Sequence, residues 1–121
     1  MALTGEKFVD VEGIRTRYIE QGAGETVVLV HGGNFGSTGC ADAADDWGLN
    51  FEGLAKWCRV IAIDKLGQGY TDNPKADDDY TMHAVVQHAY QTLRTLGIEG
   101  AHLVGHSRGG YLTCRLTVEH P

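Results

Sequence analysis

The 121-residue sequence has few cysteines, a deficit of basic residues and no long apolar run. Its three cysteines form no C-x-x-C pair, which favours free thiols in a reducing compartment over a disulfide framework. Acidic residues outnumber basic ones by 16 to 10 without a lysine- or arginine-rich stripe, so we expect no nucleic-acid partner. No segment approaches membrane-spanning length and the N-terminus lacks a signal-peptide core, which predicts a cytoplasmic protein without a membrane partner.

Motifs for metals are missing as well. The six histidines show no H-E-x-x-H spacing, and His83 and His88 lie five residues apart on a predicted helix, so they point in different directions. The acidic run at 77–79 lacks the alternating ligands and distal glutamate of a calcium loop, which favours a solvated turn. We therefore expect no metal and no other cofactor.

What the sequence does contain is an alternation of strand and helix patterns. Continuous apolar runs predict buried strands at Thr26–Val30 and Arg59–Ile63. Residues 8–11 and 14–19 are predicted to form a pair of antiparallel edge strands. Residues 47–57 and 81–97 are predicted to form two helices, and residues 101–104 a further strand. This order predicts an α/β domain over residues 1–121 whose mostly parallel sheet follows an antiparallel hairpin, with a site at the carboxyl ends of the parallel strands.

The most informative motif is Gly105-His106-Ser107-Arg108-Gly109, which separates the strand at 101–104 from helical spacing at 111–118. A serine on a tight turn between a strand and a helix is a nucleophile elbow. Ser107 is the candidate nucleophile, and the backbone N–H of Arg108 is a candidate oxyanion donor. The five residues alone also fit a plain glycine–serine turn, and the strand–turn–helix order favours the elbow.

A second glycine turn, His31-Gly32-Gly33-Asn34, follows the buried strand at Thr26–Val30. We expect Gly33 to supply the other oxyanion N–H, with His31, Gly32 and Asn34 shaping the loop around it. The alternative is a turn that merely leaves a buried strand. Phe35, like Trp47 and Tyr70 further on, is a candidate either for pocket lining or for the core.

Three segments carry a resemblance to the α/β-hydrolase family: this turn, residues 64–72 and the elbow. The resemblance extends over nearly the whole chain. It is most similar to its small serine hydrolases, which include meta-cleavage-product hydrolases that cut carbon–carbon bonds, and esterases. Ser107 excludes the branch of dehalogenases and epoxide hydrolases, which place aspartate at the elbow. Asp64 is a candidate either for a catalytic acid or for a structural residue, and the resemblance implies that it ties its loop together. The resemblance also implies that His31 packs in the oxyanion loop. His106 is also a poor base, because neighbouring side chains at a turn diverge.

In this family the acid and the histidine of the triad follow the elbow at a distance, whereas here one predicted helix follows Ser107. The resemblance therefore implies an N-terminal half, an incomplete domain without its acid and base, and a serine without a base is a weak nucleophile. The strand at 101–104 would be an open apolar edge, so we expect a partner, either a second copy or a C-terminal fragment. His102 is expected to be a packed or hydrogen-bonded histidine of the core, and residues 36–46 are expected to form a mobile loop.

The sequence is compatible with three functions. The first is a serine hydrolase of small esters or vinylogous diketones whose acid and base come from another polypeptide. The second is a non-catalytic protein that binds a small molecule or a partner in the retained pocket. The third is a weak, triad-free hydrolase formed by self-association.

Overall fold

The computed structural model of the protein describes residues 3–35 and 42–121. Its strands are β1 (Glu6–Val11), β2 (Ile14–Gln21), β3 (Thr26–Val30), β4 (Arg59–Ile63) and β5 (His102–Gly105). Its helices are α1 (Phe51–Ala55), α2 (Met82–Thr95) and α3 (Arg108–Glu119), with 3-10 turns at Ala44–Trp47 and Asp77–Asp79. Most of the mobile loop predicted at 36–46, together with Cys40, lies outside the described residues.

The strands form one mixed sheet in the order β1-β2-β4-β3-β5. β3 pairs with β4 and β5 in parallel, and β1 and β2 form the predicted antiparallel hairpin. The prediction that both hairpin strands are edge strands was wrong for β2. β2 also pairs with β4, with Tyr18 opposite Ile63, so of the two hairpin strands only β1 is an edge of the described sheet. Residues 16–19 of β2 are accordingly buried.

Apolar residues cover both faces of the inner strands, as their continuous hydrophobic runs predict. On one face, residues of β3 and β4 pack against α2 and α3: Val28, Val30, Ile61, Ile63, Val85, Val86, Ala89, Leu112 and Leu116. On the other face, the alternate strand residues pack against α1 and the turn before it: Ile19, Leu29, Val60, Ala62, Ala44 and Phe51. The sheet is therefore the middle of three layers.

The predicted helices have two different outcomes. The helix at 81–97 is confirmed as α2, and the Thr81 hydroxyl caps it by accepting the Ala84 N–H at 3.1 Å. The single helix predicted over 47–57 was wrong, because the chain forms the 3-10 turn, a break at Gly48–Asn50 and then the short α1. Glycine and asparagine are weak helix formers, which fits a break at these positions.

β5 is the last strand of the sheet in the described part of the chain, so the predicted edge strand is confirmed. The prediction of a packed or hydrogen-bonded core histidine at His102 was wrong about the core. Its side chain is 68% exposed, and its Nε2 lies 2.9 Å from the Glu25 carboxylate, because His102 starts the edge strand where no core cluster reaches it. Val104, on the same strand, is 43% exposed.

The helices that follow β3 and β5 lie on opposite faces of the sheet. From β3 the chain runs through α1 on one face to β4, whereas β5 continues into α3 on the other face. Such a reversal between neighbouring parallel strands opens a crevice at their carboxyl ends. The turns that follow β3 and β5 therefore meet at this crevice, with Val30 opposite Gly105.

Candidate active site

Ser107 occupies a strained turn between β5 and α3. Its φ of +56° with ψ of −118° is a conformation that a serine rarely adopts. The turn is tied down on both sides: the His106 N–H donates to the Val30 carbonyl at 3.1 Å, and the Gly109 N–H donates to the His106 carbonyl at 2.8 Å. Backbone strain of this kind concentrates at functional sites, where surrounding structure holds it in place.

The elbow's glycines are required by close packing of backbone. A Cβ at Gly109 would overlap the carbonyl oxygens of Val30 and His31, and one at Gly105 would overlap the Gly109 backbone. α3 therefore begins directly against the ends of β3 and β5. This contact explains why glycine stands two residues before and two residues after Ser107.

The turn after β3 lies directly beside the elbow. A Cβ at Gly32 would lie 3.3 Å from the Ser107 Cβ and 3.0 Å from His106 Nδ1, so a larger residue would require these neighbours to shift by a few tenths of an ångström. Gly33 follows with a φ of +79°. Arg108 is the first residue of α3, where the backbone N–H has no acceptor within the helix. The two candidate oxyanion donors, Gly33 and Arg108, thus lie on turns that meet at Ser107.

His31 is fully buried and uses both ring nitrogens. Nε2 accepts the Lys65 backbone N–H at 3.1 Å, which leaves Nδ1 to carry the proton and donate it to the Gly32 carbonyl at 2.7 Å. Burial lowers the pKa of His31 to about 4, so the ring is neutral near pH 7. These contacts favour the role of a loop residue over that of a base.

Asp64 is also fully buried, and its carboxylate accepts three kinds of donor. It accepts the Ala44 N–H at 2.7 Å, the Tyr70 N–H at 2.8 Å and the Arg17 guanidinium at 3.2 Å. The carboxylate thus joins three separate segments of the chain, and these contacts favour the loop-tying role over a catalytic one. Arg17 is buried too and also pairs with Glu6 and Asp45, at 2.8 and 2.7 Å.

The remaining predicted site residues lie at the crevice without completing a triad there. Asn34 ends the turn after β3, and His106 precedes Ser107 with its side chain exposed. Within residues 3–35 and 42–121, no histidine nitrogen is hydrogen-bonded to the Ser107 hydroxyl, and no cluster of three metal-ligating side chains occurs. None of the helices described has the length and hydropathy of a membrane span.

Two clefts flank the elbow. One, of about 420 Å³, is lined by Met82, Ser107, Arg108 and Tyr111. The other, of about 550 Å³, lies beyond the turn after β3 and is lined by His31, Gly32, Asp42, Asp46, Trp47, Gly105 and His106. Of the three predicted aromatic candidates, Trp47 lines this second cleft, whereas Phe35 packs edge-on against Tyr80 and Tyr70 is exposed.

Sequence reasoning missed Lys65, which lies directly under the turn after β3. Lys65 is 1% exposed, and its Nζ donates to the Gly33 carbonyl at 2.7 Å. The position of Lys65 in the sequence could have indicated its burial, because Lys65 immediately follows a buried strand and Asp64. Its residue type predicts exposure to solvent instead, since lysines are almost never fully buried.

Comparison with known proteins agrees with this geometry. Residues 25–121 match the family model described as the alpha/beta hydrolase fold. The chain belongs to the α/β-hydrolase family. This membership confirms the fold class, with its mixed sheet and antiparallel N-terminal hairpin, that the motifs predict.

The α/β-hydrolases that are similar to the chain include a semialdehyde hydrolase and a dienoic acid hydrolase. It is 43% identical over 109 residues to a 2-hydroxymuconate semialdehyde hydrolase of Pseudomonas sp. (strain CF600), covering 90% of this chain and 37% of that protein. It is 36% identical over 116 residues to a 2-hydroxy-6-oxo-6-(2'-aminophenyl)hexa-2,4-dienoic acid hydrolase of Metapseudomonas resinovorans, covering 95% of this chain and 38% of that protein.

A solved α/β-hydrolase structure superimposes closely on the chain. It is a serine hydrolase involved in carbazole degradation, with a TM-score of 0.84 and 34% identity over 95% of this chain and 43% of that one. The chain thus spans about two-fifths of the length of these relatives.

Proposed function

We propose that this chain supplies the nucleophile and the oxyanion donors of a serine hydrolase that acts on small esters or on carbon–carbon bonds of vinylogous diketones. The observation that carries the proposal is the strained Ser107 turn, with the Gly32–Gly33 turn packed against it. The similarity to hydrolases of dienoic acids and of a semialdehyde supports the carbon–carbon branch.

In the proposed reaction, the Ser107 hydroxyl oxygen attacks the substrate carbonyl carbon while a base removes the hydroxyl proton. The carbonyl oxygen becomes an oxyanion that accepts the N–H groups of Gly33 and Arg108, each worth a few kcal/mol in comparable sites. Collapse expels an alkoxide, or a carbanion delocalised into a conjugated system, and that leaving group takes a proton. Water then hydrolyses the acyl-serine and regenerates Ser107.

The substrate side of the proposal rests on Arg108. Its side chain is exposed and lines the same cleft as Ser107. A guanidinium beside the nucleophile favours a substrate that carries a carboxylate, because arginine binds carboxylates through two parallel hydrogen bonds. We therefore propose small anionic substrates rather than neutral ones.

The base and acid are proposed to come from a polypeptide that covers β5. Among residues 3–35 and 42–121, no strand pairs with the outer edge of β5, and exposed apolar residues lie on it and on α3: Val104, Tyr111 and Val118. An open strand edge beside apolar surface favours association. The partner is proposed to be a C-terminal fragment or a second copy, and native mass spectrometry tests this. A second polypeptide or a homo-oligomer is expected, and a monomer would contradict it.

Labelling by a fluorophosphonate tests the hydrolase proposal, because the probe reacts quickly only with an activated serine. We expect slow labelling of the chain alone, fast labelling when the partner is added, and none in Ser107→Ala. Ligand binding without labelling under either condition would instead favour a non-catalytic binding protein. Fast labelling of a homo-oligomer would favour the weak hydrolase formed by self-association.

A further inference from the structure

Lys65 is a buried lysine that the proposed reaction leaves without a role. It follows β4, and both its backbone and its side chain bind the turn after β3. The Lys65 N–H donates to His31 Nε2 at 3.1 Å, and its Nζ donates to the Gly33 carbonyl at 2.7 Å. Burying an ammonium is costly unless partners compensate for the lost water, so this arrangement calls for an explanation.

The two contacts, together with the imidazole of His31, fix consecutive peptide groups. His31 Nδ1 holds the carbonyl of Gly32, and Lys65 Nζ holds the carbonyl of Gly33. Carbonyl and N–H point in opposite directions in a trans peptide, so the Gly33 N–H is directed away from the imidazole. The contacts made by His31 and Lys65 therefore restrict both backbone torsions of Gly33, φ and ψ.

Gly33 needs such a constraint. Its φ of +79° is accessible because it is a glycine, and the same freedom would allow the unconstrained turn many other conformations. The Asp42 carboxylate occupies the place where a Cβ of Gly33 would lie, so the residue is enclosed on that side as well. A misdirected donor costs catalysis even when the nucleophile is intact.

We propose that Lys65 is a positioning residue: its ammonium clamps the Gly33 carbonyl and, together with the contact of His31 to the Gly32 carbonyl, holds the Gly33 N–H directed at the reacting oxygen. The clamp itself is independent of catalysis, and only its value to the reaction rests on the proposed function. Neutralising the ammonium weakens the clamp, because a charged donor forms a stronger hydrogen bond than a neutral amine.

The charges around Lys65 make this clamp sensitive to pH. Burial lowers the pKa of Lys65 to about 8, the charge of Asp42 opposes this shift, and Arg108 on α3 adds to it. His31 faces Lys65 from the turn after β3 and is neutral above about pH 4, and Asp64 precedes Lys65 on its own segment. The ammonium is therefore expected to lose its proton around pH 8.

The test follows the Asn34 amide, whose nitrogen shares a peptide group with the Gly33 carbonyl. In ¹⁵N-labelled protein titrated from pH 6 to 10, we expect this resonance to shift with a midpoint near 8. Lys65→Met should remove the step, Asp42→Asn should move it to lower pH, and the exposed control Lys56→Met should leave it unchanged. A step that persists in Lys65→Met, or none in the unsubstituted chain, overturns the proposal.

A second measurement keeps the test decisive if Lys65→Met fails to fold. The chain has four lysines, so their side-chain resonances are separable in the unsubstituted protein. One lysine should titrate with the same midpoint as the Asn34 amide, and different midpoints overturn the clamp.

Activity measurements distinguish a failure of the proposed clamp from a failure of the proposed function. In the assembled enzyme, Lys65→Met should lower kcat roughly tenfold and leave KM unchanged. If Ser107 never reacts with the phosphonate while the titration is as expected, the proposed function fails and the clamp stands. If Ser107 labels normally and the titration is missing, the clamp alone fails.

Discussion

The guanidinium of Arg17 lies 3.2 Å from the carboxylate of Asp64, and both side chains are buried. This pair links β2 to the end of β4, where the segment that contains Lys65 begins. The pair therefore stabilises the segment next to the candidate site, through a contact between residues 47 positions apart in the sequence.

The Arg17–Asp64 pair predicts a large asymmetry between two arginines. Arg17→Met leaves the Asp64 carboxylate buried without its counter-charge, so the free energy of unfolding should fall by about 3–5 kcal/mol. Arg115→Met is the control, because that arginine is exposed and pairs with Glu119, one turn further along α3. Urea unfolding measures both variants, and equal losses would contradict a buried, structural pair.

Two buried histidines predict acid sensitivity. Burial lowers the pKa of His31 and of His88 to about 4. Between about pH 4 and the unfolded value near 6.5, the unfolded chain binds more protons, so stability is complete above pH 6.5 and is lost as the pH falls. Each histidine contributes a slope of up to about 1.4 kcal/mol per pH unit.

His88→Gln tests this slope by urea unfolding at several pH values between 4 and 7.5. His88 bonds to the Thr16 hydroxyl at 2.9 Å through Nε2, so the variant also loses stability at neutral pH. The expected signature is therefore a shallower pH dependence, whatever the loss at pH 7.5. The exposed His83→Gln serves as the control, and it should keep the full slope.

Two glycines within helices should respond to alanine in opposite directions. Gly109→Ala forces a Cβ against the carbonyls of Val30 and His31, so we expect a loss of about 1–3 kcal/mol. Gly53→Ala in α1 meets nothing within 4 Å and should gain about 0.5–1 kcal/mol from helix propensity. Thermal and urea unfolding compare them, and a neutral Gly109→Ala would contradict the close packing of the elbow.

The strain at Ser107 predicts that its replacement by glycine stabilises the fold. Ser107→Gly removes the side chain that makes a φ of +56° unfavourable, so the free energy of unfolding should rise by about 1 kcal/mol. Ser107→Ala keeps a Cβ and should be unchanged in stability, although both variants lose phosphonate labelling. If alanine stabilises as much as glycine, the hydroxyl rather than the backbone is the source of the strain.

The sequence by itself was enough to predict β3, β4, β5, α2 and the turns that carry Gly33 and Ser107. These features depend on local patterns: continuous apolar runs, helical periodicity with a Thr81 cap, and glycines where backbones approach closely. The family resemblance then predicted that the two turns form one candidate site. Neighbouring residues contain enough information for this because a turn and its flanking elements are formed by the same short segment.

Only the tertiary structure decided which polar residues are buried. The types of Lys65 and Arg17 predict solvent, and that of His102 on an apolar strand predicts the core, yet the structure reverses all three. Burial depends on partners far away in the chain: Gly33 for Lys65, Asp64 for Arg17, and the absence of a strand beyond β5 among the described residues for His102. A charge is retained inside when such partners replace water, and no local pattern encodes that exchange.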